Sequence, residues 1–449
     1  MGKKHIVWLV TAVLPLLLAG CMMSASADEL YALPQLPEEY ETLSAQIEDI
    51  LASGAEYAAP TAGTNLQSVQ LVDLDGDGEE EAVAFFRSNS EEKPLKIYIF
   101  RTVEGAYQQS AIIEGSGTSI LSIRYVDMDS DGVREIIVSW RASAEVQAMD
   151  VYSLEDLTAP LVSTAYARYE VADLDDDAVQ ELVVLRGDGT DTGGSVADYY
   201  DWDGSSLLLQ STARLSMTVA ELQWMQVGRL QGSEAAVFVT GVVAGAEETA
   251  RAITDILVHR QGELSNIVRS SATGVSTENF RYLSLQSADI NGDGVTEVPM
   301  PAQLPAVDGQ DLYWKIYWRS YAADGSYRQE AITYHNLTDS WYLLIPEEWD
   351  GHFTARQINI STTEHATRFY DVSGGQVGPE LLTIYTLTGA EREAQATRDG
   401  LTILRRRQPG TIYALAVEEA YAGWRYAVEQ DELRERFSVI AAQWTTGEN

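Results

Sequence analysis

Short apolar runs separated by polar turns dominate the chain between residues 66 and 335. The runs are rich in Val, Ile, Tyr and Phe, and Gly, Asp and Ser occupy the turns, a pattern typical of β-strands. The first unit holds runs at residues 68–74, 81–87, 96–103 and 107–113, and the second holds runs at residues 119–126, 135–140, 146–153 and 161–167. The pattern therefore predicts an all-β region of repeated units, each with four antiparallel strands.

An acidic nine-residue segment recurs just before the second run of four units. Its copies share acidic or amide side chains at positions 1, 3 and 5 and a glutamate at position 9. They are Asp73, Asp75, Asp77 and Glu81; Asp127, Asp129, Asp131 and Glu135; Asp173, Asp175, Asp177 and Glu181; and Asp289, Asn291, Asp293 and Glu297. The copies start 54, 46 and 116 residues apart. A degenerate copy at residues 227–239 lies within the last interval, and it keeps Glu234 but lacks the aspartates.

Each acidic segment has the composition of a calcium-binding loop. Ca²⁺ takes six to eight oxygen ligands at flexible geometry, and acids at alternate positions of a tight loop direct their oxygens inward together. Position 6 is glycine in three copies, which permits a sharp turn, but it is Ala178 in the third. A left-handed backbone at Ala178 would cost about 1 kcal/mol. The alternative interpretation is an acidic turn that binds no metal.

Position 12 separates these segments from EF-hand loops, which require a bidentate acid there. The residues at position 12 are Ala84, Val138, Val184 and Met300. Apolar runs without helical spacing follow the acid at position 9. The segments are therefore predicted to be loops that lead into strands, and each loop is expected to bind Ca²⁺ independently with its own ligands.

The motif Asp-x-Asp/Asn-x-Asp-Gly-x-x-Glu followed by a strand resembles the FG-GAP/VCBS-type repeats of integrin-like β-propellers. The resemblance covers residues 66–335, and the chain departs from it at Ala178 and near residue 230. It implies a β-propeller or a propeller-like array of four-stranded repeats, in which the acidic and amide residues of the four segments hold Ca²⁺.

The first 20 residues have the pattern of a secretory leader. Lys3 and Lys4 precede an apolar run at residues 6–18, which is too short to span a bilayer comfortably. The run ends in Leu18-Ala19-Gly20-Cys21, which closely resembles the lipobox of bacterial lipoproteins. The resemblance implies that the leader is a removed signal peptide and that Cys21 carries acyl chains such as palmitate. We therefore expect a protein anchored by its lipid to a bacterial membrane, on the extracytoplasmic side.

Charge and cysteine usage exclude several classes of function. Cys21 is the only cysteine, which excludes an internal disulfide and thiolate chemistry elsewhere. The formal net charge is −38, and loss of Lys3 and Lys4 with the leader makes it −40. At this charge we expect no nucleic-acid partner and no attraction to anionic headgroups. We expect a monomer.

Residues 21–65 form the predicted tether between lipid and repeats. Pro34, Pro37 and small residues indicate a linker. A short helix is predicted within residues 38–51 because Leu43 and Ile47, among others, have helical spacing. We expect this helix to pack against the first or the last repeat.

The register changes after the repeats, which are predicted to end at residue 335. Several strand-like runs are followed by an apolar stripe with helical spacing at residues 429–444, formed by Leu433, Phe437 and Ile440. Residues 336–449 are therefore predicted to form a small C-terminal α+β domain. The alternative is that they form a final propeller blade.

No catalytic motif stands out. The histidines after the leader are His259, His335, His352 and His365, and the chain contains no His-Glu-x-x-His, Gly-x-Ser-x-Gly or phosphate-loop sequence. Tyr and Trp at residues 313–318 either pack between blades or bind a protein or glycan ligand. We therefore predict a non-catalytic, surface-anchored binding or scaffold module. The alternative is a secreted hydrolase, directed at glycans or peptides, that uses the central face of the propeller.

Overall fold

The computed structural model describes residues 38–88, 92–144, 146–190, 193–244, 250–307, 312–408 and 410–440. Its strands form six antiparallel sheets of four or five strands, numbered 1 to 6 in chain order. This architecture confirms the all-β prediction. The leader and Cys21 lie outside the described residues. Among the residues that are described, no helix has the length and apolarity needed to cross a membrane.

Sheets 1, 2 and 3 each pair the strands of one repeat. Sheet 1 contains β1 (Glu56–Tyr57), β2 (Val69–Val72), β3 (Glu81–Arg87), β4 (Leu95–Val103) and β5 (Ala106–Gly115). Sheet 2 contains β6 (Ser119–Val126), β7 (Glu135–Arg141), β8 (Gln147–Tyr152) and β9 (Val162–Tyr166). Sheet 3 contains β10 (Arg168–Ala172), β11 (Glu181–Gly187), β12 (Gly194–Trp202) and β13 (Leu207–Thr218).

Sheets 4, 5 and 6 continue the series. Sheet 4 contains β14 (Leu222–Arg229), β15 (Ala235–Ala244), β16 (Ala250–Arg260), β17 (Glu263–Asn266) and β18 (Asn279–Arg281). Sheet 5 contains β19 (Val298–Gln303), β20 (Trp314–Tyr321), β21 (Tyr327–Asn336) and β22 (Trp341–Leu344). Sheet 6 contains β23 (Phe353–Asn359), β24 (Glu364–Ser373), β25 (Gln376–Leu387), β26 (Leu401–Arg407) and β27 (Thr411–Val417). The last strand, β28 (Phe437–Val439), returns to sheet 5 and pairs with β22.

The helices of the described residues are α1 (Glu38–Ala52), α2 (Arg392–Ala396), α3 (Glu419–Ala422) and α4 (Gln430–Glu435). Single 3₁₀ turns occur at Val219–Glu221 and Glu347–Trp349.

Successive sheets pack face to face through separate apolar clusters. Strand β11 illustrates why its sequence is apolar at consecutive positions. Val183 and Leu185 lie in the cluster shared with sheet 4, whereas Leu182 and Val184 lie in the cluster shared with sheet 2. Because successive side chains of a strand point to opposite faces, a strand with sheets on both sides must be apolar throughout. This serial stacking of antiparallel sheets is a propeller-like array.

Helices cover the two outer faces of the array. Leu43 and Ile47 of α1 pack on Phe86 and its neighbours, on the face of sheet 1 that is directed away from sheet 2. Ala396 of α2 packs with Leu387 on the face of sheet 6 directed away from sheet 5. Among the described residues, no strand of sheet 6 pairs with sheet 1. The array is therefore not closed into a ring by strand pairing in this part of the chain.

The C-terminal segment differs from the prediction of one helix at residues 429–444. The helix α4 ends at Glu435, and the chain then becomes strand β28. Leu433 and Phe437 are both buried in the same apolar cluster, so the spacing that suggested one continuous helical face arises from a helix followed by a strand. Residues 441–444 of the predicted helix lie outside the described residues.

The predicted boundary between residues 335 and 336 falls inside β21. Strand β22 on one side of it pairs with β21, and β28 pairs with β22. Sheets 5 and 6 also share an apolar cluster that includes Trp341 and Phe369. The segment after residue 336 therefore contributes strands to sheet 5 as well as the strands of sheet 6.

Candidate metal centres in four acidic loops

Four acidic loops occupy equivalent positions in their sheets. Loops 1, 2 and 3 (residues 73–81, 127–135 and 173–181) join the first and second strands of their repeats, β2 to β3, β6 to β7 and β10 to β11. Loop 4 (residues 289–297) leads into β19, and its ends are joined by a bridge between Ala288 and Glu297. In every loop the glutamate at position 9 lies at or beside the start of a strand, so the sheet holds one end of the loop in place.

The aspartate at position 1 closes each loop on itself. Its Oδ2 atom accepts a hydrogen bond from the backbone N–H at position 6, given by Gly78, Gly132, Ala178 and Gly294 at 3.1, 3.0, 3.0 and 2.9 Å. All four of these donors have positive φ, with values of 88°, 92°, 74° and 85°. The turn conformation predicted at position 6 is therefore present, and Ala178 adopts it in spite of its Cβ.

Position 4 also has positive φ in every loop, a feature that the sequence pattern did not predict. The residues are Gly76, Ser130, Asp176 and Gly292, at 73°, 59°, 61° and 82°. Glycine at two of these positions was the available signal.

The glutamate at position 9 is buried in every loop and bonds to the backbone of its own loop. Its Oε2 accepts the backbone N–H of position 2 at 2.8, 3.0, 2.6 and 3.0 Å in loops 1 to 4, from Leu74, Met128, Leu174 and Ile290. Glu181 and Glu297 are fully buried, and the Oε1 atom of each has no hydrogen-bond partner. A buried carboxylate oxygen without a donor is costly, so a cation at this position would be stabilising.

Carboxylates from different positions converge in three of the loops. One carboxylate oxygen of each acid lies within 4.8 Å of those of the others, in the sets Asp73, Asp75 and Glu81; Asp127, Asp129 and Asp131; and Asp173, Asp175, Asp177 and Glu181. In loop 2 the Oδ1 atoms of Asp127 and Asp129 are also buried without a hydrogen-bond partner.

Six of the predicted ligands lie outside the convergent sets. They are Asp77 in loop 1, Glu135 in loop 2 and, in loop 4, Asp289, Asn291, Asp293 and Glu297. In loop 4, the Asn291 side-chain amide donates to Asp293 Oδ2 at 3.0 Å. The structure thus gathers the predicted residues most completely in loop 3.

Burial and mutual repulsion disfavour the charged form of several loop acids. Desolvation, opposed by the hydrogen bond from position 2 and reinforced by nearby aspartates, raises the pKa of Glu135 and of Glu297 to about 7 and that of Glu181 to about 8. Burial likewise raises the pKa of Asp129 and Asp175. A bound divalent cation would supply the opposite charge that these carboxylates lack. An all-oxygen donor set of this kind suits a hard cation such as Ca²⁺.

Two basic side chains from neighbouring strands reach the loops. His259 Nδ1, on β16, lies 3.5 Å from Asp175 Oδ2, and its ring stacks on Tyr199 with 4.8 Å between centroids. Arg101, on β4, lies 3.8 Å from Asp75 Oδ2. Local sequence gives no signal for either contact, because strand pairing and sheet stacking create them.

Backbone hydrogen bonds connect loops 1, 2 and 3 in a row. The N–H of Arg134 donates to Leu74 O at 2.8 Å, and the N–H of Gln180 donates to Met128 O at 2.6 Å. Ser130 Oγ also donates to Ala178 O. Loop 4 is joined instead to the degenerate copy, because Thr296 N donates to Arg229 O at 2.8 Å.

The degenerate copy forms a shorter turn that is closed by its backbone. Leu230 N donates to Glu234 O at 2.8 Å, and the Glu234 side chain is exposed. Leu230 is fully buried, like the residue at position 2 of loops 1 and 2. The copy therefore keeps the apolar anchor of the loop while its glutamate no longer faces inward.

The four histidines considered in the sequence do not form a common site. His335 is buried against Trp318 and Tyr342, His352 stacks on Tyr426 with 4.2 Å between centroids, and His365 Nδ1 lies 2.7 Å from Asp339 Oδ1. His259 is beside loop 3, as described above.

A polar cleft of about 530 Å³ lies between β10 and β14. Its polar lining residues are Glu170, Asp173, Gln180, Gln226 and Arg229. Glu170 pairs with Arg124 at 3.7 Å, and burial raises its pKa. Among these lining residues Glu170 is the single acid outside the acidic loops, whereas glycoside hydrolysis uses a pair of carboxylates.

No protein-family model matches the chain, and no curated protein matches it. Among solved structures, the β-propeller domain of the trilobed protease from Pyrococcus furiosus is similar at 12% identity and a TM-score of 0.26, covering 73% of this chain and 93% of that one. A protein from Lactobacillus plantarum is similar at 12% identity and a TM-score of 0.23, covering 71% and 84%. Both likenesses are distant, and the propeller-like fold described above rests on the sheets of this chain alone.

Proposed function

We propose that the protein is a calcium-binding lipoprotein with FG-GAP/VCBS-type repeats, anchored to a bacterial membrane on its extracytoplasmic side and acting as a non-catalytic binding or scaffold module. The observation that carries the calcium assignment is the convergence of carboxylates in loop 3. There one oxygen from each of four acids lies within 4.8 Å of the others, and Glu181 Oε1 is buried without a hydrogen-bond partner. Such a site is unfavourable without a cation and favourable with one.

The proposed role of Ca²⁺ is structural. The side chains at positions 1, 3, 5 and 9 would hold the ion, and the ion would neutralise their repulsion. Since position 9 begins a strand and position 2 is a buried apolar anchor, order in the loop is transmitted to the sheet. The bound ion would thereby keep the sheets rigid for the proposed binding or scaffold role. No catalytic step is assigned to the ion.

Calcium titration calorimetry on the mature chain in detergent tests this proposal. We expect dissociation constants on the order of 0.1–1 mM, as in extracellular modules, and weaker binding of Mg²⁺. The Asp127→Asn, Asp129→Asn variant should lose binding at loop 2. The control is Asp324→Asn, which changes an aspartate of an ordinary turn whose Oδ1 accepts Ser326 N at 2.9 Å. If the loop variant binds as much calcium as the control, the assignment of loop 2 is wrong.

The anchor is tested separately. Cys21→Ser should yield an unlipidated precursor or soluble protein, because the proposed acyl chains would have no attachment atom. Metabolic labelling with palmitate and membrane fractionation measure this. Full membrane retention of the unlabelled variant would contradict the lipoprotein proposal.

The hydrolase alternative is the less favoured one. In the polar cleft between β10 and β14, Glu170 is paired with Arg124, and the second acid, Asp173, belongs to loop 3. Glu170→Gln should therefore leave the biological role intact. A loss of glycan or peptide cleavage in a well-folded Glu170→Gln variant would favour the enzyme instead.

A further inference from the structure

A basic cleft lies where the outer edges of sheets 5 and 6 meet. It encloses about 420 Å³ and is lined by Tyr342, Arg405, Arg406, Arg407, Ser438 and Val439. One wall is β26, the outermost strand of sheet 6, and the other is formed by β22 and β28 at the edge of sheet 5. We refer to it as the arginine cleft.

A β-bulge decides which of the three consecutive arginines share a face of β26. The pairing of β26 with β27 shifts between Ile403 and Arg405, where Leu404 has no paired residue and is buried. Bulges bend a strand and redirect its side chains. From Arg405 to Arg407 the pairing is regular, so Arg405 and Arg407 share the face of Tyr413, towards sheet 5, whereas Arg406 lies on the other face, beside Glu393 of α2.

This charge is incompletely compensated in a very acidic protein. Arg406 pairs with Glu393 at 2.5 Å, and Arg407 lies near the Tyr413 hydroxyl. No ion pair among the described residues involves Arg405 or Arg407. Elsewhere arginines do pair with acids, as Arg186 does with Asp198 and Arg319 with Glu278. The guanidinium groups of Arg405 and Arg407, on the same face of β26, repel each other, and a bound anion would relieve this repulsion.

We propose that the arginine cleft binds an oxyanion, a phosphate or carboxylate group carried by the ligand of this module. The proposal rests on the proposed binding role, to which it adds the chemical class of ligand. A guanidinium presents a planar fork of N–H donors that matches the oxygens of phosphate and carboxylate groups. Ser438, on the opposite wall, adds a hydroxyl donor.

Arginines on an edge strand also have a simpler role, which is to prevent pairing with another chain. That role requires repulsion from other strands but no anion. It predicts that loss of the charges promotes aggregation and leaves anion binding unchanged. The two roles are therefore separable by experiment.

Titration with methyl phosphate and with succinate at low ionic strength tests the proposal. The protein is the calcium-loaded full chain, and binding is followed by calorimetry and by the melting temperature. We expect saturable binding of at least one anion in the millimolar range, weakened at least tenfold in Arg405→Gln, Arg407→Gln. The control Arg328→Gln, Arg434→Gln removes the same charge from exposed arginines that pair with Glu330 and Asp431, and it should bind as the wild type does. Methyl phosphate and succinate distinguish a phosphate site from a carboxylate site.

Equal anion responses in the two double variants, or no saturable binding by the wild type, would overturn the proposal. Aggregation of the cleft variant without a change in anion affinity would assign the arginines to edge protection. Should the double variant fail to fold, Arg405→Lys replaces it, because lysine keeps the charge but lacks the planar fork. Normal calcium binding with no specific anion binding would reject the cleft alone, whereas absent calcium binding would reject the function proposed above.

Discussion

At the residue scale, Ala178 is a strained position of loop 3, because its backbone is left-handed although it carries a Cβ. It has φ of +74°, where the other three loops have glycine, yet its N–H still bonds to Asp173 Oδ2 at 3.0 Å. The loop geometry thus overrides the preference of a single residue. Loop 3 gathers the most acids and also contains this strain, so replacement of Ala178 separates the two effects.

Ala178→Gly should stabilise the protein by about 1 kcal/mol, because glycine adopts positive φ without steric cost. Gly78→Ala is the matched opposite change in loop 1. A Cβ at Gly78 would meet no atom within 4 Å, so its cost, also about 1 kcal/mol, is purely conformational. Urea unfolding of both variants measures the effect. A destabilised Ala178→Gly protein would show that the alanine makes a contact worth more than the strain.

His335 gives the stability a defined dependence on pH. Burial against Trp318 and Tyr342 lowers the pKa of His335 to about 3. The unfolded chain binds a proton below about pH 6.5 but the native chain does not, so the contribution is complete above that pH and declines as the pH falls towards 3. Between pH 7 and pH 5 the loss is about 2 kcal/mol.

His335→Phe should remove this loss while it keeps an aromatic ring in the stack. The measurement is urea unfolding at pH 7 and pH 5, compared as the difference between variant and wild type. His352→Phe, which replaces a less buried histidine stacked on Tyr426, serves as the control. An unchanged pH dependence in His335→Phe would contradict the assignment.

At the element scale, backbone hydrogen bonds join loop 1 to loop 2 and loop 2 to loop 3. Leu74 donates its N–H to Glu81 and accepts at its carbonyl from Arg134, which adjoins Glu135. The same relation links Met128 to Gln180 beside Glu181. A hydrogen-bonded path therefore runs between the glutamates of three candidate sites. This path predicts that calcium binding at the three loops is coupled, whereas the sequence alone predicts that each loop binds calcium independently.

Loss of the loop 2 site should therefore weaken calcium binding at loops 1 and 3. For Asp127→Asn, Asp129→Asn we expect a decrease in affinity there of about fivefold, equivalent to a coupling free energy of about 1 kcal/mol. Asp289→Asn in loop 4 should leave loops 1 to 3 unaffected, because loop 4 bonds to the degenerate copy instead. Backbone amide exchange at each loop during calcium titration reports the sites separately. Equal, purely local effects of the two variants would mean that the sites are independent.

Gly76→Ala tests the same connection without touching a ligand. A Cβ at Gly76 would lie 2.5 Å from Gly132 O in loop 2, so the substitution should displace loop 2 as well as loop 1. Gly78→Ala, with no such contact, is the control. If amide exchange in loop 2 is unaltered by Gly76→Ala, the two loops are less tightly packed than described.

At the scale of the whole molecule, stability is shared along the array. Each sheet between the ends has apolar clusters on both faces, and β28 ties the C-terminal segment to sheet 5. Helices α1 and α2 cover the outer faces. Order in the four acidic loops is therefore expected to affect also the stability of the sheets that contain no acidic loop.

Chelation of calcium should lower the melting temperature of the entire array in one transition. Four sites, each at ten times its dissociation constant, would contribute about 5–6 kcal/mol. With an unfolding entropy of about 2.1 cal/mol/K per residue, this corresponds to a decrease of about 5–10 °C. Differential scanning calorimetry with and without chelator measures it. A second transition insensitive to calcium would show that residues 336–449 unfold as a separate domain, as the sequence first indicated.

The sequence by itself determined the strands and the loops. Periodicity placed apolar runs in strands, and the spacing of acids predicted the turn at position 6 and the strand that follows the glutamate at position 9, because both depend on residues close in the chain. Ala178 was recognised as a departure for the same reason.

Only the tertiary structure decided which faces meet. The run from Leu182 to Leu185 shows that β11 is buried on both sides but not which sheet covers each side. The spacing of Leu433 and Phe437 fits a helix as well as the helix and strand that form. Contacts such as His259 with Asp175, the bulge before Arg405 and the bonds between loops arise from pairing and stacking between distant segments. Hydrophobic pattern specifies burial, whereas the partner of a buried or charged group is fixed by packing of the whole chain.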